Sequence, residues 1–136
     1  MESLRVLLVE DNRADAHRVR EFLEGSAPGA YQIDQIASVC DAAAKLQQDH
    51  VDVLLLDLRV QHPAGEESAA CVRDLAADVP IVVLAGTSDE GLALSCLDAG
   101  AQDFLCKSKI TANSLGRAIR YAVARFRTAR RMGVWS

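Results

Sequence analysis

Short apolar runs alternate along the chain with longer segments in which apolar and polar residues mix. The runs lie at Leu4–Val9 and at residues 51–56, 81–84 and 104–106, and a weaker, alternating stretch covers 31–37. Apolar residues that are not interrupted by polar ones are typical of strands covered on both faces, as in a parallel sheet between helices. The alternating stretch predicts a shorter, more exposed strand.

The segments between these runs carry helix signals. A helix that follows Asp11 is expected to end at Glu24, with Gly25 as its stop signal, and Ser38 with Asp41 forms a capping box for a helix ending at residue 48. Further helices are predicted over 66–77 and 90–99, the latter ended by Gly100. A last helix is capped by Thr111 or Asn113 and continues to about residue 132.

The predicted order is therefore strand then helix, five times over. Such alternation requires crossovers that return the chain to the same end of the sheet, so the strands are parallel and the crossovers right-handed. We predict a doubly wound, five-stranded α/β fold. With 136 residues the chain has room for one domain, expected over residues 1–127, with 128–136 extending the last helix as a linker.

Charge is unevenly distributed. All 19 acidic residues lie before residue 115, whereas six of the 15 basic residues are arginines beyond it. An acidic body repels phosphates, so direct nucleic-acid binding is not expected.

No apolar run approaches the roughly 20 residues of a membrane span, and the N-terminus lacks a secretory pattern, which predicts a cytoplasmic protein without membrane contact.

The four cysteines are widely spaced and form no CxxC pair. Each falls within a predicted helix or strand, namely Cys40, Cys71, Cys96 and Cys106. This spacing argues against a zinc site and a disulfide framework, and we interpret all four as small core residues.

Charged residues follow three of the predicted strands directly. Glu10 and Asp11 follow the first, Asp57 ends the third and Lys107 follows the fifth, while the loop 85–88 follows the fourth. Because the carboxyl ends of parallel strands lie at one edge of the sheet, these side chains are expected to meet there. Three carboxylates are tolerable together when a hard cation such as Mg²⁺ shares their oxygens, and a lysine suits a phosphate.

This set of residues indicates phosphoryl transfer to a carboxylate, with Asp57 as nucleophile. Each residue alone also has a simpler interpretation. Asp57 could cap a turn, Glu10 and Asp11 could be acids at a helix N-terminus, and Lys107 could be a solvated surface charge. Their common position at strand ends favours the chemical interpretation.

The motifs resemble those of the receiver domain of two-component response regulators, over about residues 4–127. LLVED at 7–11 matches the acidic-pair motif, LLLDL at 54–58 the phosphoacceptor motif and FLCK at 104–107 the lysine motif, and Gly65 stands at the loop-glycine position. The resemblance implies a flavodoxin-like fold with strand order 2-1-3-4-5. It also implies that Asp57 accepts a phosphoryl group from a histidine kinase or histidine phosphotransfer protein.

By the same resemblance, Glu10, Asp11, Asp57 and the backbone carbonyl of Arg59 would hold Mg²⁺, and Lys107 would bind a phosphoryl oxygen. The chain departs from the family at the switch position after the fourth strand, where Ala85 replaces the usual Thr or Ser. Phe104 occupies the aromatic switch position.

Other departures fall in loops. Gln61 replaces the usual proline of the loop after the phosphoacceptor, with Pro63 two residues further on, and Ser108 replaces the proline after the lysine.

The resemblance describes a self-phosphorylating switch with slow autodephosphorylation rather than a turnover enzyme. Its output would be a fused domain, a partner, or a homodimer formed through the face of the fourth helix, fifth strand and fifth helix. A second interpretation is an interaction module in which Ala85 leaves weakened or absent phosphorylation-dependent switching. A third is an aspartyl-phosphate phosphatase, which would need an Asp where Arg59 stands.

Overall fold

Five strands and five helices alternate along the chain. The computed structural model describes residues 3–59, 68–86 and 89–133. In chain order the elements are β1 (Leu4–Val9), α1 (Arg13–Ser26), β2 (Tyr31–Ile36), α2 (Val39–Gln48), β3 (Val53–Asp57), α3 (Ser68–Leu75), β4 (Ile81–Ala85), α4 (Glu90–Asp98), β5 (Asp103–Cys106) and α5 (Ala112–Arg131).

The strands form one parallel sheet in the order β2-β1-β3-β4-β5. In register, Val6 of β1 lies opposite Val53 of β3, and Leu54 of β3 lies opposite Ile81 of β4. Every residue of β3 and β4 is buried, whereas most residues of the edge strand β2 are only partly buried or exposed. The predicted doubly wound sheet and its strand order are confirmed.

Successive side chains of each strand point to opposite faces of the sheet, and each face has its own core. One core joins Leu54 and Leu56 to α2, α3 and α4. The other joins Val53 and Leu55 to α1 and α5. The unbroken apolar runs in the sequence are explained by this double coverage, because both alternating sets of side chains need apolar partners.

The end of α2 at Gln48 is as expected, whereas the ends of the other helices differ from the sequence expectations by one or two residues. α1 continues through Gly25 to Ser26, and the backbone N–H of Ala27 closes it on the carbonyl of Leu23 at 3.1 Å. The turn that follows uses Gly29, whose φ is +78°. Gly25 was therefore the wrong stop signal, because a glycine can stay helical when the helix packs well.

The start of α5 is fixed by a capping box. The Thr111 hydroxyl accepts from the backbone N–H of Ser114, and the Ser114 hydroxyl accepts from the backbone N–H of Thr111. Thr111 is thus the N-cap and Asn113 lies inside the helix. The first residues expected in α3, 66 and 67, lie outside the described part of the chain.

The last turns of α5 are held against the amino ends of β3 and β4. Arg127 Nη2 lies 3.1 Å from Asp52 Oδ1, and the other Asp52 oxygen accepts from the backbone N–H of Arg5 at 2.8 Å. Arg130 donates to the carbonyl of Ala77 at 2.8 Å. We call these contacts of Arg127 and Arg130 the basal anchor. It lies at the opposite edge of the sheet from Asp57.

The cysteines divide into two groups. Cys71 and Cys96 are buried, as expected of core residues, but Cys106 is only half-buried and Cys40 is exposed near the start of α2. The expectation was wrong for Cys40, because the first turn of α2 presents that position to solvent.

None of the helices in the described ranges is long and apolar enough to cross a membrane.

Candidate active site

Three strand ends place Glu10, Asp57 and Lys107 together at the carboxyl edge of the sheet. Glu10 follows β1 and its backbone N–H bonds the carbonyl of Ile36, Asp57 is the last residue of β3, and Lys107 follows β5 with its N–H bonded to the carbonyl of Ala85. Each side chain therefore leaves a backbone already fixed by the sheet. Asp57 is fully buried and Glu10 is 2% exposed.

The Lys107 ammonium is the centre of this group. Its Nζ lies 2.5 Å from Asp57 Oδ2, 3.0 Å from Asp15 Oδ2 and 3.6 Å from Glu10 Oε1. One cation is thus shared by three carboxyl groups, two of them buried. An ammonium so placed can bind any oxygen that projects from Asp57 into the cleft.

Asp15 was not among the candidates from the sequence. It lies in the first turn of α1, where its backbone N–H donates to the Asn12 side chain that caps the helix. The carboxylate is left to reach Lys107, 92 residues further along the chain. The sequence does place an acid one helical turn after Asp11. An acid at that position is equally well explained by its favourable interaction with the N-terminus of the helix, so it does not by itself indicate a site residue.

Asp11 has a different position from its neighbour Glu10. It is exposed, and the acids whose ligand atoms all lie within 4.8 Å of one another in the described chain are Glu10, Asp15 and Asp57. The backbone N–H of Arg59 donates to Asp57 Oδ1 at 2.9 Å, which orients the carboxylate. Metal ligation by Asp11 and by the Arg59 carbonyl remains a prediction.

The pKa values of the two buried acids are shifted in opposite directions from their ordinary values, that of Glu10 upward and that of Asp57 downward. Burial raises the pKa of Glu10 to about 8, and the hydrogen bond and charge of Asp57 add to the effect. Burial also disfavours the charged form of Asp57, but hydrogen bonds from Glu10 and Lys107 outweigh it and lower the pKa of Asp57. Near neutral pH the pair therefore holds one proton, on Glu10, and Asp57 is ionised.

Lys107 keeps its charge in the same surroundings. Burial opposes the charged ammonium, but hydrogen bonds to Asp57 and Asp15 outweigh that effect and raise the pKa of Lys107. The site thus contains an ionised, buried carboxylate beside a cation. This is the charge arrangement that a transfer of an anionic group to Asp57 requires.

The donor set fits a hard divalent cation. Oxygen ligands of Mg²⁺ lie about 2.1 Å from the ion, so ligands of one ion lie within about 4.2 Å of one another. The oxygens of Glu10, Asp15 and Asp57 meet within 4.8 Å, which is close to that range. A cation there would also replace the proton held by Glu10.

Ala85, at the end of β4, brings no hydroxyl to the site. It is buried, lies opposite Cys106 in the register of β4 and β5, and borders a cavity of about 220 Å³. The half-buried Phe104 lines the same cavity. The loop after β4 has hydroxyls at Thr87 and Ser88, which could replace the missing one only if the loop were shifted; these two residues, and also Gln61, Pro63 and Gly65, lie outside the described residues.

Comparisons with known proteins agree with this geometry. A family model described as response regulator receiver domain matches residues 6–120. A protein-glutamate methylesterase/protein-glutamine glutaminase of Treponema pallidum is 30% identical over 106 residues, which are 76% of this chain and 26% of that protein. Response regulator MprA of Mycobacterium bovis is 33% identical over 106 residues, which are 77% of this chain and 44% of that protein.

Solved structures show the same fold. The receiver domain of a sensor histidine kinase of Pseudomonas aeruginosa, with a magnesium ion in its active-site cleft, aligns with a TM-score of 0.72 and 24% identity over 90% of this chain and 98% of that one. A receiver domain protein of Clostridium thermocellum aligns with a TM-score of 0.75 and 19% identity over 92% of this chain and 98% of that one.

The chain spans between about a quarter and just under half of the length of the two curated relatives. The family model covers most of the chain, including the strand ends that carry Glu10, Asp57 and Lys107. The chain belongs to the response regulator receiver domain family.

Proposed function

We propose that this receiver domain is a phosphoacceptor module in which Asp57 takes a phosphoryl group in a Mg²⁺-dependent transfer. The observation that carries the proposal is the contact of 2.5 Å between Lys107 Nζ and the buried Asp57 Oδ2, with Glu10 beside them. A fully buried, ionised carboxylate at the carboxyl edge of a parallel sheet is held at a cost in solvation. A role of Asp57 as a nucleophile explains why the fold keeps an ionised carboxylate there despite that cost.

In the proposed reaction an Asp57 oxygen attacks phosphorus while the bond between phosphorus and the donor atom breaks. Arg59 holds the other Asp57 oxygen through its backbone N–H, and Lys107 donates to a phosphoryl oxygen as charge develops there. Glu10, Asp57, Asp11 and the Arg59 carbonyl would hold Mg²⁺, which would supply neutralisation of the transferred group. The phosphoryl donor would be a histidine kinase or a histidine phosphotransfer protein.

The module would act as a switch with slow self-hydrolysis rather than as a turnover enzyme. An aspartyl-phosphate phosphatase would need a second Asp two residues after Asp57, and that position is Arg59. The Treponema and Mycobacterium relatives are longer than this chain, which supports an output that lies in a fused domain or a partner. We assign the output surface to α4, β5 and α5, where Leu94 and Tyr121 are exposed.

The test is to incubate the protein with Mg²⁺ and acetyl phosphate, or with beryllium fluoride, and to detect the adduct by intact-protein mass spectrometry and by NMR. We expect one phosphoryl group on the wild type and none on Asp57→Asn. Asp74→Asn removes an exposed acid of α3 and should react like the wild type. A wild type that forms no adduct with either reagent would refute the proposal.

A further inference from the structure

Asp15 makes a contact that the proposed reaction does not use. Its Oδ2 lies 3.0 Å from Lys107 Nζ, and its side chain is 35% exposed, whereas Glu10 and Asp57 lie buried beneath the same ammonium. Lys107 is therefore held from two sides, by buried acids below and by Asp15 toward solvent. The sequence resemblance assigns no role to this residue.

We propose that Asp15 is a positioning residue for Lys107, an inference that rests on the proposed phosphoacceptor function. A lysine ammonium has three N–H donors on a flexible four-carbon stem. Of its acceptors, Asp57 at 2.5 Å and Asp15 at 3.0 Å are within hydrogen-bond distance, and Glu10 at 3.6 Å is beyond it. Asp15 is thus the second partner that limits where the ammonium can go.

The second partner acquires its importance during transfer. When a phosphoryl group is attached to Asp57, a phosphoryl oxygen replaces the carboxylate oxygen as acceptor for one N–H of Lys107. The N–H that bonds Asp15 is a different one, so that contact can persist while the first is exchanged. Asp15 then keeps the ammonium in the cleft, and the site does not have to order a free lysine side chain in the reaction.

A purely structural role for Asp15 makes a different prediction. As the third residue of α1 it interacts favourably with the helix dipole, and that benefit needs no contact with Lys107. A helix acid of this kind would affect stability without changing the order of the lysine ammonium. The two roles are separated by observing the Lys107 Nζ group itself.

The experiment compares Asp15→Asn with Glu21→Gln, which removes one acidic charge from an exposed position of the same helix. For each, the Lys107 ammonium signal is recorded by ¹H–¹⁵N NMR without phosphodonor, and the rate of adduct formation with acetyl phosphate is measured at saturating Mg²⁺. Circular dichroism establishes that each variant is folded.

We expect the Lys107 ammonium signal to be visible in the wild type and in Glu21→Gln, and to broaden beyond detection in Asp15→Asn through faster proton exchange. Adduct formation should slow by about two- to fivefold in Asp15→Asn alone, the range expected for a partly exposed ion pair. Asp15→Glu, which restores a carboxylate on a longer stem, should recover part of both.

Any other combination overturns the inference: a Lys107 signal that is absent from the wild type or unchanged in Asp15→Asn, a rate that does not fall, or an equal fall in Glu21→Gln. A failure of the proposed function looks different. In that case the wild type forms no adduct, and the ammonium signal alone decides whether Asp15 positions Lys107.

Discussion

Replacing Lys107 by methionine tests the electrostatic balance of the site most directly. The substitution keeps an unbranched, uncharged stem of similar length and removes the ammonium. Asp57, which is fully buried, and Glu10, which is 2% exposed, then lose the cation they share. Without a bound metal, the folded state must hold an uncompensated carboxylate out of water.

The size of the effect follows from burial and protonation. Removing one partner of a buried ion pair costs about 3–5 kcal/mol. Two features of this site favour the lower end: the Lys107 side chain is 17% exposed, and Glu10, with its pKa raised to about 8, already carries a proton at neutral pH. Of the two buried acids only Asp57 then loses a counterion, and Asp15, the other acid paired with Lys107, is partly exposed, so we expect the free energy of unfolding to fall by about 3 kcal/mol.

The assay is urea unfolding at pH 7 followed by circular dichroism, with a chelator present. Lys109→Met is the matched control, because Lys109 lies two residues further on and is exposed; its unfolding midpoint should not change measurably. Adding Mg²⁺ should return part of the stability lost in Lys107→Met, because a ligand that binds only the folded state stabilises it. The reasoning is refuted if the two lysine variants are equally stable without metal.

Three further substitutions test the scaffold. Gly100 has a φ of +121°, and a Cβ there would lie 2.8 Å from Ala76 Cβ, so Gly100→Ala should lower the free energy of unfolding by about 2–4 kcal/mol. Gly91→Ala, inside α4 with open space around it, should raise the free energy of unfolding by about 0.5–1 kcal/mol. Urea unfolding that ranks the two glycine variants in the opposite order would contradict both predictions. Burial opposes ionisation of Asp52, but hydrogen bonds from the Arg5 backbone and from His50 outweigh burial and lower the pKa of Asp52. The contribution of Asp52 to stability is therefore present above pH ~4 and is lost as the pH falls through the lowered pKa. Asp52→Asn should therefore lower the urea midpoint at pH 7 but much less at pH 3, and an equal difference at the two pH values would contradict this assignment.

The sheet could be predicted because its signal is local. β3 is apolar from Val53 to Leu56 and β4 is apolar throughout, and such short unbroken runs are typical of strands buried on both faces. The parallel order followed from the alternation of strands with helices. The parallel order also predicts that Glu10, Asp57 and Lys107 meet, because the carboxyl ends of parallel strands lie at one edge of the sheet.

Helix ends and side-chain reach could not be predicted in the same way. Gly25 carries a stop signal, yet the last turn of α1 packs near α5, and a Cβ at Gly116 would collide with Ser26, so tertiary packing sets where α1 ends. Asp15 was missed for a related reason. Its contact with Lys107 depends on the rotation of α1 about its axis, which the packing of Val19 and Leu23 fixes and the spacing of charges does not.

The basal anchor and the acids that surround Lys107 lie at opposite ends of a single strand. Asp52 precedes β3 and Asp57 ends it, so five residues of extended chain, about 16 Å at about 3.3 Å per residue, separate the two carboxylates. The two groups share no side chain among the contacts described. Substitutions at Arg127 and at Lys107 should therefore have additive effects on the free energy of unfolding, to within about 0.5 kcal/mol. The stability of a double variant with one substitution at each end can then be calculated from the two single variants.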